Sequence, residues 1–369
     1  MTNWRAITVA IALAGCSDAA QELTAPPPAP PPPPPSMPSG AAVIAFVSTR
    51  DGDGPEAGYQ SVPWIYLAAG DGSSVQRLTR GEAPAWSPDG ERLAFHRWRS
   101  GVVGGGDVEL VVSNRDGTGQ RVLATGGFYP AWSPDGTTIA YNTGVGVPGA
   151  GIYAVNVDGA SAPKKLIDYS FALPDDGYGP GWVGFPSWSP DGNHIAFVRA
   201  NYGIPWMVYV MKSDGSDPKL LSASFSVGDT PPRWKPDGSR LLLMVPQWST
   251  GAGQWSIVSV ALDGSDMRRH VDGAYVAAAA WFADGNSIAY QTFSAPATST
   301  WPYGSRMRIY ASTLGEGTRR QLIPDAVNPA NPEYWDTEPA LWGVVGGGDG
   351  DSGAGDWDYL RGRTKGRVP

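Results

Sequence analysis

The chain has 369 residues, among them 49 Gly, 35 Pro and 16 Trp, and a formal net charge of −8. So many turn formers and so few long apolar runs argue against a helical bundle and predict an all-β fold. Lys and Arg are scattered apart from a short basic end (Arg361, Arg363, Lys365, Arg367). The acidic balance therefore argues against nucleic acid as a partner, since phosphate binding needs clustered basic side chains.

At the N-terminus, residues 1–15 combine a basic start at Arg5 with an apolar run over 6–14. The run is too short to span a bilayer and reads as the apolar core of a secretory signal peptide. The single cysteine of the chain, Cys16, closes the tetrad Leu13-Ala14-Gly15-Cys16 and has no partner for an internal disulfide. The tetrad resembles the lipobox of bacterial lipoproteins, which implies cleavage before Cys16 and lipid attachment there. Residues 16–40 then read as lipid anchor and spacer. Within them, 25–38 (APPPAPPPPPPSMP) takes only extended polyproline structure. At roughly 3 Å per residue it holds the following part about 40 Å from a membrane surface.

From Ala41 onward a repeat dominates. An eleven-residue pattern stands at 85–95 (AWSPDGERLAF), 131–141 (AWSPDGTTIAY) and 187–197 (SWSPDGNHIAF), with looser copies at 233–243 (RWKPDGSRLLL) and 280–290 (AWFADGNSIAY). Each copy predicts a β-hairpin: an apolar strand ending at Trp, a Ser-Pro-Asp-Gly turn, and a strand of alternating polarity. Third strands are predicted at 64–67, 109–112, 152–157, 207–211 and 256–261. Asp-Gly turns follow them at Asp71, Asp116, Asp158, Asp214 and Asp263, and fourth strands stand at 75–79 and 164–167.

The marker residues Trp86, Trp132, Trp188, Trp234, Trp281 and Trp342 are spaced by 46, 56, 46, 47 and 61 residues. Four strands at that period is the signature of a propeller blade. The segment ending at Trp342 has no strands after it, and the first segment, from Val43, lacks a first strand. The two ends are predicted to complete one blade and close a six-bladed ring over residues 41–345, which removes exposed sheet edges. Residues 346–369 are Gly- and Asp-rich without strand pattern, and Asp349, Asp351, Asp356 and Asp358 lack the order of a calcium loop. They are predicted to be a disordered tail.

The Trp-Ser-Pro-Asp-Gly hairpins resemble the TolB-type, WD-repeat-like β-propeller family, as do Ile44 through Gly52, Trp64-Ile65-Tyr66-Leu67 and Arg77-Leu78-Thr79. The resemblance covers 41–345. It implies a six-bladed propeller in the periplasm or at the cell surface, with an envelope or peptidoglycan-linked protein as partner. TolB has a further α/β domain before its propeller, where this chain has the Pro-rich spacer.

Chemistry-bearing motifs are scarce. The GxGxxG matches at 144–149 and 179–184 are each followed by a strand and not by the helix that a dinucleotide site needs. There is no GxxxxGK[ST] and no GxSxG. His96 is read as following a second strand, His194 as following a turn, and His270 as lying in a fourth strand. Such positions do not converge on a metal, and all three are expected to be surface or rim residues. The turn aspartates Asp89, Asp135, Asp191, Asp237 and Asp284 are expected to cap their own turns. No catalytic set, metal or cofactor is expected.

Length variation points elsewhere. The first-to-second and third-to-fourth turns share one face of the disc and are short. The other face gathers the long segments 97–107, 168–185, 201–206, 247–255, 292–305 and 324–337. Its aromatic residues Trp98, Tyr178, Trp182, Phe185, Tyr202, Trp206, Trp248, Trp255, Trp301 and Tyr303 form the candidate binding face, part of which is expected to pack loops onto the disc. Glu82 and Glu338, each four residues before a marker Trp in neighbouring blades, and Arg233, directly before another, are candidates for the channel mouth. The reading is a lipid-anchored, non-enzymatic envelope scaffold that binds protein through this face. The alternative is a propeller that binds or cleaves glycans, because Trp and Tyr faces also stack on sugar rings.

Overall fold

The structure is a computed structural model. It describes residues 43–48, 64–69, 74–99, 108–144, 149–169, 181–200, 206–221, 227, 230–246, 255–274, 276–293, 307–315, 319–322 and 336–342. Residues 1–42 with Cys16, residues 346–369, the Asp71-Gly72 turn and most of the long loops lie outside the described residues.

Every regular element among the described residues is a β-strand, and the strands form six four-stranded antiparallel sheets. Blade 1 holds β1 (Val43–Ser48), β2 (Trp64–Ala69) and β3 (Gln76–Arg80). Blade 2 holds β4 (Glu82–Trp86), β5 (Arg92–Trp98), β6 (Val108–Asn114) and β7 (Arg121–Thr125). Blade 3 follows with β8 (Gly127–Trp132), β9 (Thr138–Thr143), β10 (Gly151–Asn156) and β11 (Lys164–Asp168). In blade 4 are β12 (Trp182–Trp188), β13 (His194–Ala200), β14 (Met207–Lys212) and β15 (Lys219–Leu220). Blade 5 contains β16 (Arg233–Trp234), β17 (Arg240–Pro246), β18 (Trp255–Ala261) and β19 (Arg268–Ala274). Blade 6 contains β20 (Val276–Trp281), β21 (Ser287–Phe293), β22 (Met307–Thr313) and β23 (Arg319–Gln321).

The last strand, β24 (Asp336–Trp342), returns to blade 1 and gives it the order β24-β1-β2-β3. It pairs antiparallel with β1 through Val43↔Trp342, Ile44↔Leu341 and Ala45↔Ala340. Each end of the chain thus supplies what the other lacks, and all six first strands end at a marker tryptophan.

The turn chemistry acts as the sequence predicts. In the first hairpin the Gly90 amide donates to the Ser87 carbonyl at 2.9 Å, and Gly90 takes φ of 68°, which glycine adopts without steric cost. Asp89 Oδ1 accepts from the Ser87 hydroxyl and the Glu91 amide, and Asp135 and Asp191 repeat the arrangement. Asp116, Asp158, Asp214 and Asp263 cap the third-to-fourth turns in the same way, each accepting from an amide two residues on.

Packing runs between blades. One apolar cluster joins each neighbouring pair. Val43, Ala45 and Ile65 of blade 1 meet Trp86, Leu93 and Phe95 of blade 2. At the closure, Phe282, Ala289 and Ile309 of blade 6 meet Ile44, Phe46 and Tyr66 of blade 1. Since both faces of a blade are covered, strands such as β1 are buried along their whole length. The marker tryptophans also tie blades together by hydrogen bonds. Nε1 of Trp132 donates to the Ala85 carbonyl at 2.9 Å, Trp234 to Ser187 at 2.9 Å, and Trp281 to Arg233 at 3.2 Å. In each case the acceptor directly precedes the marker tryptophan of the blade before.

Candidate interaction site on the long-loop face

The start of each first strand, the end of each second strand and the start of each third strand lie at the long-loop end of their blade. Pair registers place Glu82 opposite His96, Trp98 opposite Val108, and Trp182 opposite Ala200. In blades 2 to 4 these ends carry a continuous run of rings.

The run begins between blades 2 and 3, where the His96 ring centroid lies 5.2 Å from Trp98, 5.2 Å from Phe128 and 5.5 Å from Tyr129. It crosses to blade 4 through Tyr129 and Phe185, whose centroids are 4.4 Å apart in an edge-to-face arrangement. Beyond it, Trp182 lies 5.0 Å from Phe185 and 5.9 Å from Trp206. Edge-to-face and tilted pairs at these separations suit the ring quadrupoles. Trp98 and Phe185 are buried, whereas Phe128, Tyr129, Trp182 and Trp206 are half-buried and keep part of their surface open.

A backbone irregularity aims these rings. Ala83, Tyr129 and Phe185 each stand three residues before a marker tryptophan and take φ of 48°, 51° and 55°. The ladders shift register at the same points, between Glu82 and Ala85, between Phe128 and Ala131, and between Gly184 and Ser187. These are β-bulges, which bend a strand and redirect its side chains. A left-handed conformation costs a non-glycine residue about 1–2 kcal/mol, so the surroundings must enforce it. At Phe185 the backbone amide donates to Oδ1 of the buried Asn142 of blade 3 at 3.1 Å. Gly184 makes room as well, because a Cβ there would overlap the Trp182 indole.

Charge enters at Glu82, the first residue of β4. Its Oε2 lies 3.5 Å from Nε2 of His96; the carboxylate side chain is 23% exposed and the imidazole 1%. Nδ1 of His96 is buried with no hydrogen-bond partner among the described residues. This corrects the expectation of a surface or rim histidine. β5 continues through Trp98, so His96 lies inside the strand, and the neighbouring blade covers it. His194 is exposed at the start of β13, and His270 is half-buried with Nε2 2.8 Å from Ser259 Oγ. Burial pushes the His270 imidazole below its usual range. Among the described residues no three His, Cys, Asp or Glu side chains converge as a metal site would require.

Of the candidate face residues, Trp98, Trp182, Phe185 and Trp206 meet in this wall. Trp255 stands at the start of β18 and packs against the cluster between blades 5 and 6, away from the wall. Tyr178, Tyr202, Trp248, Trp301 and Tyr303 lie outside the described residues. Among the channel-mouth candidates, Glu82 borders the wall. Glu338 holds the equivalent position in β24, within its break in register against β1. Arg233 sits three positions further along its own strand and pairs with Leu242. The sequence reading did not select Phe128, Tyr129 or His96 for this site. The available signal was that Phe128 and Tyr129 occupy, before Trp132, the positions of Glu82 and Ala83 before Trp86.

No protein-family model matches the chain. It is 31% identical over 166 residues to a protein TolB homolog of Chlorobium luteolum, a match that takes in 44% of this chain and 32% of the relative. The matched part thus spans about a third of that relative's length. Among solved structures, TolB from Acinetobacter baumannii superposes with a TM-score of 0.61 at 16% identity, over 81% of this chain and 66% of that one. A chain assigned to TolB from Agrobacterium tumefaciens superposes with a TM-score of 0.52 at 18% identity, over 83% of this chain and 100% of that one. At such identities the likeness is one of fold. The fold of this chain is a TolB-type six-bladed β-propeller, closed by its C-terminal strand.

Proposed function

We propose that the chain is a lipid-anchored propeller of the bacterial cell envelope that binds another protein through its long-loop face. The observation that carries the reading is the aromatic wall from Trp98 to Trp206, aimed by two strained bulges and partly open to solvent. Trp and Tyr on a rigid scaffold are the residue types that anchor protein interfaces. The lipobox-like tetrad at Cys16 and the Pro-rich spacer support an anchored envelope location, and the TolB-type fold is consistent with one. The role proposed is binding and not catalysis.

A glycan is the second reading, favoured by the half-buried Trp182 and Trp206 rings, which offer the kind of surface that stacks on sugars. Both readings meet in one experiment. The full chain and its Trp182→Ala/Trp206→Ala variant, matched in melting curve, are immobilised and exposed to a detergent extract of the native envelope. A protein retained by the parent and lost by the variant supports the scaffold. Retention of polysaccharide fragments without protein transfers the site to the glycan reading.

A further inference from the structure

We infer that the seam between blades 5 and 6 carries an acid-sensitive latch, in which neutral His270 holds the outer strand β19 to Ser259 of β18 and protonation of the imidazole releases it. The latch is separate from the aromatic wall of blades 2 to 4 and needs no ligand.

The corresponding seam is apolar in the first three blades and polar in the fifth. Each fourth strand of blades 1 to 3 carries a β-bulge, one extra residue set against its third strand, at Leu78, Leu123 and Leu166. All three leucines pack against the apolar cluster shared with the following blade. In blade 5 the same bulge falls on His270. The residue that receives it changes as well, since Ser259 stands in register where Leu67, Val112 and Ala154 stand in the other blades. His270 still faces the following blade, with its ring centroid 6.1 Å from that of Trp281 in an edge-to-face arrangement. An apolar contact is thus exchanged for a hydrogen bond, and only the hydrogen bond depends on a proton.

The hydrogen bonds fix the state in which the latch is closed. Nε of Arg240 donates to Oγ of the buried Ser259 at 3.0 Å, and Nε2 of His270 lies 2.8 Å from the same oxygen. With Arg240 on the oxygen, the hydroxyl proton points at Nε2, which accepts it only while the imidazole is neutral. A further proton turns Nε2 into a donor, so the hydroxyl must swing away and two cations then face one oxygen. The charged groups around the ring are Arg240 on β17 and Arg268 on β19. Asp266, in the turn before β19, is held by both arginines, and Arg269 pairs with Asp272 further along the strand. β18 and β20 bring no ionisable side chain. Among the described residues no carboxylate pairs with His270. Burial first, then Arg240 and Arg268, holds the imidazole below its ordinary value. The unfolded chain therefore takes the proton before the folded one, and the seam loses stability as pH falls below about 6.5.

The test follows the full chain from about pH 8 to about pH 5, where histidine changes charge and the turn aspartates do not. Hydrogen exchange, corrected for its intrinsic pH dependence, is expected to show β19 losing several-fold more protection over this range than β7, the outer strand of blade 2. The urea midpoint of the parent is expected to decline over the same range. His270→Leu, which restores the leucine of blades 1 to 3, is expected to decline less, and His194→Leu, at an exposed histidine, to keep the parental profile. Equal loss of protection in both outer strands, or parallel midpoint profiles for the parent and His270→Leu, overturns the inference. The exchange arm needs no variant, so it decides the outcome even if His270→Leu fails to fold.

Discussion

Glu82 and His96 face each other across the first two strands of blade 2, and their side chains meet at 3.5 Å under the rings of Trp98, Phe128 and Tyr129. The two partners stand in different surroundings, which separates their contributions to stability. Truncating the imidazole in His96→Ala leaves a void among three rings and is expected to cost about 2–4 kcal/mol. Glu82→Gln removes only a partly exposed charge and is expected to cost less than about 1 kcal/mol. Urea unfolding of both variants checks the ranking, and equal losses would show that the void is not the larger effect.

The blade-to-blade indole bonds give a paired comparison. Trp132 donates to the Ala85 carbonyl and lies under the Arg92 guanidinium, 4.9 Å from the ring centroid. The buried Nε1 of Trp188 has no hydrogen-bond partner among the described residues. Trp132→Phe is therefore expected to destabilise the ring by about 1 kcal/mol more than Trp188→Phe, since both lose ring area but only one loses a made bond. Thermal melts of the two variants decide it.

Closure of the ring rests on β24. A chain ending at residue 335 exposes the whole β1 edge, with Val43 to Ser48 left unpaired on one side. Its melting midpoint is expected to fall by about 5–10 °C, with concentration-dependent association through the open edge. Calorimetry at two protein concentrations reads both effects. An unchanged midpoint would mean that β24 contributes no stabilising closure.

Acid should weaken the turns. Hydrogen bonds from Ser189 and Asn193 hold the Asp191 carboxyl down at about 2. Those from Ser133 and Thr137 lower Asp135 in the same direction. Each folded value lies below the unfolded one, near 3.9, so the stabilisation is present above about pH 4 and is lost as pH falls through the folded value. Asp191→Asn is expected to lower the melting midpoint at pH 7 and to flatten its decline between about pH 4 and pH 2. Parallel pH profiles for parent and variant would remove Asp191 from the acid response.

The blade count and ring closure were legible because turn chemistry is local. Ser-Pro-Asp-Gly and Asp-Gly announce their own backbone geometry, and the tryptophan spacing then counts the blades. Less local features were hidden. Tyr129 and Phe185 give no hint of positive φ, since their bulges arise from register against the next strand. The burial of His96 is hidden because Leu93-Ala94-Phe95 resembles the end of a strand, whereas β5 continues to Trp98. Alternation then gives no guide to exposure, because both faces of a blade meet neighbouring blades. Of the wall, Trp98, Trp182, Phe185 and Trp206 could be chosen from loop length and residue type. Their meeting with Phe128, Tyr129, His96 and Glu82 depends on contacts between blades that no single segment encodes.

In the proposed function the long-loop face, and not the tight-turn face, meets the partner. Photocrosslinking in living cells tests it most directly, with p-benzoylphenylalanine placed in turn at Trp182 and Trp206 on one face and at the exposed Glu91 and Asp237 on the other. One discrete protein adduct is expected from the Trp182 and Trp206 positions and none from Glu91 or Asp237. Adducts formed only from the tight-turn positions would contradict it.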